Sequence, residues 1–447
     1  MKRILFYTIC LLLCNGAFAQ GGNDGAGKKV YSLQDCLMEG LENNYSIKIQ
    51  KNKQRVSDNN ATIGNAGFLP TLSASGKYSG SAQDTDTQLR DTREIVEENG
   101  IFNQTVNAGL NLNWTIFEGF NVISTYRKLQ ELKSQGELNT RIAFENLISD
   151  ITAEYYNYIQ QMIRLKNLKY AMELSKERLR IVEQRYNLGN FSGLDYQQAR
   201  VDFNSDSSSF MKQQEKLKSS AIVLNELLAR EDLNNAIAVA DTAITVEKFL
   251  DLNDFMESMM SNNATLLYAK SQSSVSELEY RITASQSYPY LRLNAGYGYT
   301  KNKYNKGTNY YRGTLGTDFG LTLGINIFDG NNARRLRRNA KLNIENAHLS
   351  QAEIEQGLKA DLYNIWHAYE NNLQILELEK ENLVTAKLNH EIAMERYMLG
   401  NLSGIEMREA QKSLLDAEER LLSSQYNTKL CEISLLQISG KIQQYLQ

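Results

Sequence analysis

The chain carries one pattern twice. Arg185 to Arg200 reads RYNLGNFSGLDYQQAR and Arg396 to Gln411 reads RYMLGNLSGIEMREAQ, with eight of the sixteen positions identical at an offset of 211. Leu33-Gln34-Asp35 through Asn43-Asn44 matches Leu252-Asn253-Asp254 through Asn262-Asn263 at an offset of 219, which Pro70 and Pro289 share. Trp114 to Gly119 then matches Ile325 to Gly330 at 211, so the first copy carries 8 extra residues between Pro70 and Trp114. An exposed loop tolerates such a length change better than a packed element. Two long copies are too few for a solenoid and predict two pseudo-equivalent halves around a shared axis or core.

The first nineteen residues have the order of a secretory signal: basic Lys2-Arg3, apolar Ile4 to Leu13, and Ala17-Phe18-Ala19 at the cleavage position. Cys14 follows Leu11-Leu12-Leu13, which lack the small residues of a lipidation site, so cleavage after Ala19 without lipid is expected. Loss of Lys2 and Arg3 leaves 47 basic against 52 acidic residues, a balance that excludes a nucleic-acid footprint. Cys36 and Cys431 would remain; both fall on apolar helical faces and are expected as buried thiols. No later run of apolar residues is long enough for a transmembrane helix. The two prolines in 447 residues suit long uninterrupted helices, because an interior proline costs about 3 kcal/mol.

Periodicity changes along each copy. Residues 20–30 are Gly-rich and polar. Ser32 should cap a short helix through Glu42, and a second should run from the Asn43-Asn44 turn to about Ala66, its mate covering about Thr265 to Ser285. After each proline the period becomes two. Leu72, Ala74, Gly76 and Tyr78 alternate with polar residues, as do Leu110, Leu112, Trp114 and Ile116, and in the second copy Leu291 to Tyr299 and Leu321, Leu323, Ile325 and Ile327. Hairpins at about 71–117 and 290–328 follow, with polar loops at roughly 79–105 and 300–317. Strands of about ten residues with one apolar face fit a bilayer-spanning barrel. Soluble hairpins packed on a core are the alternative.

Helical period returns at Asn121 and Asn331 and continues without proline to Leu188 and Leu399. Leu147, Ile151, Tyr155, Tyr158, Met162 and Leu165 form a heptad-like seam, and Leu358, Leu362, Trp366, Tyr369, Leu373 and Leu376 repeat it. Gly189 and Gly400 sit where a left-handed residue ends a helix. Ser192 with Asp195, and Ser403 with Glu406, read as capping boxes of the returning helices. The units thus span 31–230 and 251–442, with tip turns at 188–193 and 399–404, a joining segment at 231–250 and a tail at 443–447.

Little here suggests chemistry. His348, His367 and His390 lie in helical stretches without ligand spacing, so no catalytic residue, metal or cofactor is expected. Gly22 to Lys28 matches a phosphate-loop spacing, but Lys29 stands where Ser or Thr is needed. Arg334, Arg335, Arg337 and Arg338 cluster after the second hairpin, as a solvated helix start or a site near inner-leaflet phosphates.

Taken together, the leader, the duplicated helix–hairpin–long-helix unit and the paired LGN.SG turns resemble the TolC-like outer membrane efflux family, the outer membrane factor of tripartite efflux and type I secretion systems. The resemblance spans about Tyr31 to Ile442. It departs at Asn44-Tyr45 and Asn263-Ala264, where the family often has Asn-Pro. It implies an α+β membrane protein, a homotrimer in which four strands per protomer make one twelve-stranded β-barrel continuous with a helical coiled-coil periplasmic tunnel. It implies a passive duct without enzymatic activity, coupled through a periplasmic adaptor to an inner-membrane pump. Leu110, Leu112, Trp114, Ile116, Leu321, Leu323, Ile325 and Ile327 would face lipid. Asp195 and Glu406 match acidic positions of the family's periplasmic entrance, and Tyr186 and Tyr397 stand just before it. Leu402 replaces the arginine that pairs there in some members, so the closing interactions are not legible. Leu188, Gly189, Ser192, Leu399, Gly400 and Ser403 match the adaptor-contact tips. Capping alone is the competing role for Asp195 and Glu406, helix termination for the two glycines. A structural or adhesive periplasmic coiled-coil protein, or an adaptor, is the competing function.

Overall fold

The computed structural model describes residues 30–189 and 192–446; the leader, the Gly22–Lys28 motif, most of the Gly-rich start, and Asn190 and Phe191 of the first turn lie outside the described residues. Eight α-helices are seen among the described residues: α1 (Leu33–Asn43), α2 (Tyr45–Asn60), α3 (Asn121–Asn187), α4 (Gly193–Leu227), α5 (Leu252–Asn262), α6 (Ala264–Ser285), α7 (Asn332–Met398) and α8 (Gly404–Ile438). The strands are β1 (Val30–Tyr31), β2 (Thr71–Gln88), β3 (Ile95–Glu118), β4 (Ala238–Val239), β5 (Tyr290–Tyr304) and β6 (Tyr311–Gly324). Both α3 and α7 have 67 residues, about 100 Å of helix at 1.5 Å per residue.

The main sheet runs β2-β3-β5-β6, antiparallel throughout, with β2 and β6 as open edges. Its register puts like beside like. Leu72, Leu112, Ala295 and Phe319 form one row across all four strands, and Trp114, Leu293 and Leu321 another. Because directly paired residues share a face, these rows make one apolar surface. The next row, Thr71, Asn113, Asn294 and Gly320, belongs to the other face, as does Lys77, Asn107, Thr300 and Thr314. The apolar face has little covering it: Leu321 is 63% and Leu323 74% exposed.

Three expectations are corrected. The arms at 79–105 and 300–317 are mostly paired strand, so β2 and β3 reach 18 and 24 residues. Apolar alternation stops at Tyr78, but backbone pairing needs no apolar face, and the arms continue the ladder with apolar residues on both sides, the adjacent pairs Ile95-Val96 and Ile101-Phe102 among them. The 8 extra residues of the first copy enter these arms, where the register shifts between Gln83 and Thr85. Ile325 and Ile327 lie beyond the last pairing of β6 and are not strand residues, although both are exposed. Finally, α2 stops at Asn60 rather than near Ala66. There Asn65 donates through its side chain to the Asn60 carbonyl and through its backbone to Thr62 Oγ1, a local alternative to the helical ladder.

Strand becomes helix through two consecutive left-handed residues at each junction, Gly119-Phe120 and Gly330-Asn331. At Gly119 (φ 55°) an added Cβ would sit 2.6 Å from the Ser285 carbonyl oxygen, whereas at Gly330 the nearest atom is 3.8 Å away. Gly119→Ala should therefore lower the thermal unfolding midpoint clearly more than Gly330→Ala, both paying the left-handed cost of about 1 kcal/mol but only the first a clash. Equal shifts would contradict this geometry.

The helices continue the order of the strands. α2 packs on α3, α3 on α6 and α6 on α7, a single-layer wall below the sheet. α3 with α4, and α7 with α8, form two long hairpins, and α8 also lies along α3. The main apolar core surrounds the helix midpoints, where Ile151, Tyr155 and Ile159 of α3 meet Cys36 and Leu37 of α1, Leu224 of α4, Met259 of α5, Leu362 and Tyr369 of α7 and Leu435 of α8. Tyrosine hydroxyls from this core hold the joining segment: Tyr155 donates to Asp241 at 2.9 Å, Tyr158 to the Ile237 carbonyl at 2.8 Å and Tyr369 to the Glu247 carbonyl at 2.6 Å. Burial pushes the Tyr369 hydroxyl up to about 12. Cys36 and Cys431 are free thiols; Cys36 is buried as expected, whereas Cys431 is only partly buried.

Asn44 and Asn263 explain how the chain manages without Asn-Pro. Each side chain caps its own helix, accepting from Ser46 N–H and Leu266 N–H at 2.9 Å. Each also donates to a carbonyl at the end of a returning helix, Leu227 at 3.0 Å and Ile438 at 2.8 Å. The asparagine makes these bonds; a proline after it would only preset the first helical φ.

Candidate functional site

The tips of the two hairpins bring together most of the site residues proposed from sequence. α3 ends with Leu188 and with Gly189 at φ +77°, and α7 with Leu399 and Gly400 at φ +78°. Both glycines are in the left-handed conformation that stops a helix. On the far side of each turn Ser192 Oγ accepts the Asp195 N–H and Ser403 Oγ accepts the Glu406 N–H, both at 3.2 Å. The carboxylates complete the boxes by accepting from the serine hydroxyls at 2.7 Å. Hydrogen bonds from Ser403 hold the Glu406 carboxyl below the usual carboxylate range. Capping is thus a fact for both acids. Leu188 and Leu399, each 75% exposed, and Leu194 and Ile405 leave an apolar end on both hairpins.

The tyrosines are not equivalent. Tyr186 is partly exposed and stacks on Tyr196, ring centroids 5.4 Å apart and planes 8° from parallel. Tyr397 is buried in a cluster with Ala393, Met407 and Ala410, and its hydroxyl has no hydrogen-bond partner among the described residues. Met407 stands where the first copy has Tyr196, so the second hairpin lacks the ring on which Tyr186 stacks and packs Tyr397 against a methionine instead. On the same face of α7, His390 is buried, its Nε2 also without a hydrogen-bond partner among the described residues, and burial lowers its pKa.

Sequence reasoning missed a buried polar network above the tips. Arg408 of α8 makes two hydrogen bonds to Asp206 of α4, at 2.6 and 2.7 Å. Asp206 also accepts from Ser175 of α3, and Arg178 of α3 pairs with Asp202 of α4. Gln411 of α8 donates to the Ala171 carbonyl at 3.3 Å. Bonding to Asp206 pushes the Arg408 guanidinium further up from its ordinary value. The network therefore ties the second hairpin to the first within one protomer. Spacing about the first turn could have suggested Arg178 with Asp202. Nothing local pointed to Arg408, which lies on the other hairpin.

Among the described residues no group of His, Cys, Asp or Glu could hold a metal ion, and no helix is long and apolar enough to cross a membrane. The profile of the outer membrane efflux proteins matches residues 37–230 and 256–441. The chain belongs to the outer membrane efflux protein family. It is 21% identical over 379 residues to the outer membrane protein TolC of Escherichia coli, covering 77% of this chain and 71% of that protein. It is 18% identical over 449 residues to the outer membrane efflux protein BepC of Brucella suis, covering 98% and 92%. In fold it is similar to the Campylobacter jejuni CmeC outer membrane channel, with a TM-score of 0.76, 19% identity and 92% and 85% of the two chains covered. As an outer membrane efflux protein it is a TolC-like transport channel of the outer membrane with a periplasmic extension, and not an enzyme. That location removes the soluble periplasmic coiled-coil alternative.

Proposed function

We propose that this efflux protein is the passive outer membrane duct of a tripartite export system, a homotrimer fed by an inner-membrane pump through a periplasmic adaptor. The observation that carries the reading is the four-stranded sheet with two unpaired edges and one bare apolar face, continued in the same order by the α2–α3–α6–α7 wall. Open edges are not tolerated in lipid, and four strands are too few to close a cylinder, the smallest known barrels having eight. Pairing β6 of one copy with β2 of the next resolves this, and three copies give twelve strands. The duplicated units supply matching halves of the wall and the tunnel.

In this reading the hairpin tips face the periplasm. Asp195 and Glu406 contribute six carboxylates per trimer around the entrance, which would favour cations in the resting pore. Replacing both with Asn should leave the trimer intact, raise the resting single-channel conductance and reduce cation preference; unchanged conductance and selectivity would return these residues to capping alone. Since Leu402 cannot supply the entrance arginine, Arg408 is assigned its work, bonded to Asp206 further up the hairpin. Leu188, Gly189 and Ser192, with Leu399, Gly400 and Ser403, form the adaptor contact, supported by the exposed apolar ends. Leu188→Asp combined with Leu399→Asp should leave the trimer in the outer membrane and abolish export. Undiminished export would remove the tips from the docking surface.

A further inference from the structure

We propose that the start of α7 is a binding surface for the phosphate headgroups of anionic phospholipids in the periplasmic leaflet of the outer membrane. Arg334, Arg335, Arg337 and Arg338 occupy its first two turns. At 3.6 residues per turn, Arg334 and Arg338 lie one above the other, with Arg335 and Arg337 to either side. Half-buried Ala333 and Leu336 and buried Ala340 lie on the opposite face. Within the described residues none of the four arginines has an ion pair. Their hydrogen bonds are weak and local: Arg335 to Asn332 Oδ1 and Arg337 to the Ala333 carbonyl, both at 3.4 Å.

Four cations at a helix N-terminus oppose the helix dipole, and the acidic group bonded to this helix start is Asp329, whose carboxylate accepts the Ala333 N–H at 2.7 Å, so the cluster keeps a net positive charge for an outside anion. What precedes the cluster says where it sits. Leu321 and Leu323 lie on the apolar face of β6, and exposed Ile325, Ile327 (93% exposed) and Phe328 (79% exposed) follow beyond its last pairing. From the first helical residue, Asn332, Arg334 lies about 3 Å and Arg338 about 9 Å along the helix axis. Hydrocarbon-facing side chains, then an aromatic ring, then guanidinium groups is the order met on leaving a bilayer core for its headgroups. Guanidinium suits phosphate because its donors form a planar fork.

A second copy of the chain is the other conceivable source of negative charge. At the level of the cluster, the first unit packs the segment after α2 against the start of α3, Phe68 meeting Tyr126, so residues 61–69 of the next copy would face α7 here, and they carry no acidic residue. Asp58 before them already lies 3.7 Å from Lys133. A neighbouring protomer would thus add no counter-charge at this level. The first copy has Ile123, Ser124 and Tyr126 at three of the four matching places, so the surface is confined to the β6 side of each protomer.

This inference rests on the outer membrane trimer proposed above. The test is lipid retention by the full-length channel in nanodiscs of phosphatidylcholine with phosphatidylglycerol, read by native mass spectrometry, beside planar-bilayer conductance. The wild type should retain phosphatidylglycerol in preference to phosphatidylcholine. The quadruple Arg→Gln variant should lose that preference by at least about tenfold, keeping trimer mass and conductance, and the quadruple Arg→Lys variant should keep most of it. An unchanged preference in the Gln variant would overturn the proposal. So would dissociation of that variant into protomers, which would assign the arginines to a second copy. Displacement of the lipid by equimolar inorganic phosphate would show a free-anion site instead. A wild-type chain that is a monomer would sink the trimer reading itself, whereas a trimer without lipid preference would sink this inference alone.

Discussion

Arg408→Ala should convert a closed resting channel into one that conducts without its partners. The guanidinium spans two hairpins, and its removal leaves Asp206 buried with Ser175 but no cation. Breaking a buried pair by deleting one partner costs about 3–5 kcal/mol. Arg408 is 24% exposed along its side chain and Asp206 10%, so about 3 kcal/mol is the appropriate end of that range. If the bond exists only in the closed arrangement, this energy shifts the open-to-closed ratio by roughly a hundredfold. Planar-bilayer recordings should show a higher mean conductance with trimer mass unchanged. The double exchange Arg408→Asp with Asp206→Arg should restore part of the closure, which general destabilisation would not. Arg408→Ala recordings identical to wild type would show that the network merely braces the hairpins.

The second large effect concerns the sheet. Leu112 lies midway along the apolar run of β3, in the row with Leu72, Ala295 and Phe319. Leu112→Arg places a charge near the bilayer midplane at about 2–4 kcal/mol per copy, hence roughly 6–12 kcal/mol per trimer. Little assembled protein should reach the outer membrane. Asn113→Arg, one residue along and on the opposite face, should assemble nearly as well as wild type. The heat-modifiable trimer in the outer membrane fraction is the measure. Equal yields from the two variants would mean that the face reading of β3 is wrong.

Much of the architecture was legible because it is carried by periodicity and punctuation. The seam of Leu147, Ile151, Tyr155 and Tyr158 is buried, since a heptad pattern leaves a long helix few other ways to hide its apolar side. Ser192 with Asp195 and Ser403 with Glu406 form the expected caps, because a capping box is local chemistry. The strand arms above Tyr78 were not legible, since their apolar residues, such as Ile101 and Phe102, do not keep to one face and leave no alternation to read. Nor was the end of α2, where Asn65 diverts the backbone.

The site was legible only in part, for a related reason. Residues facing each other across one antiparallel hairpin lie at equal distances from its turn, as Arg178 and Asp202 do, so such a pair can be guessed. Asp206 and Arg408 belong to different hairpins, and their meeting depends on how two long helices wind past each other. The different surroundings of Tyr186 and Tyr397 turn on Tyr196 against Met407, a difference that matters only once four helices are in place.

The central claim is that β6 of one copy pairs with β2 of the next to seal a shared cylinder. Disulfide trapping in isolated outer membranes tests it most directly, with cysteines scanned along β2 from Leu72 to Tyr78 and along β6 from Leu315 to Leu323, after Cys36→Ala and Cys431→Ser. The account predicts links between chains at one repeating register, giving linear dimers and trimers and a circular trimer in denaturing gels. A chain that stays a water-soluble monomer, or forms no such links at any register, would contradict it.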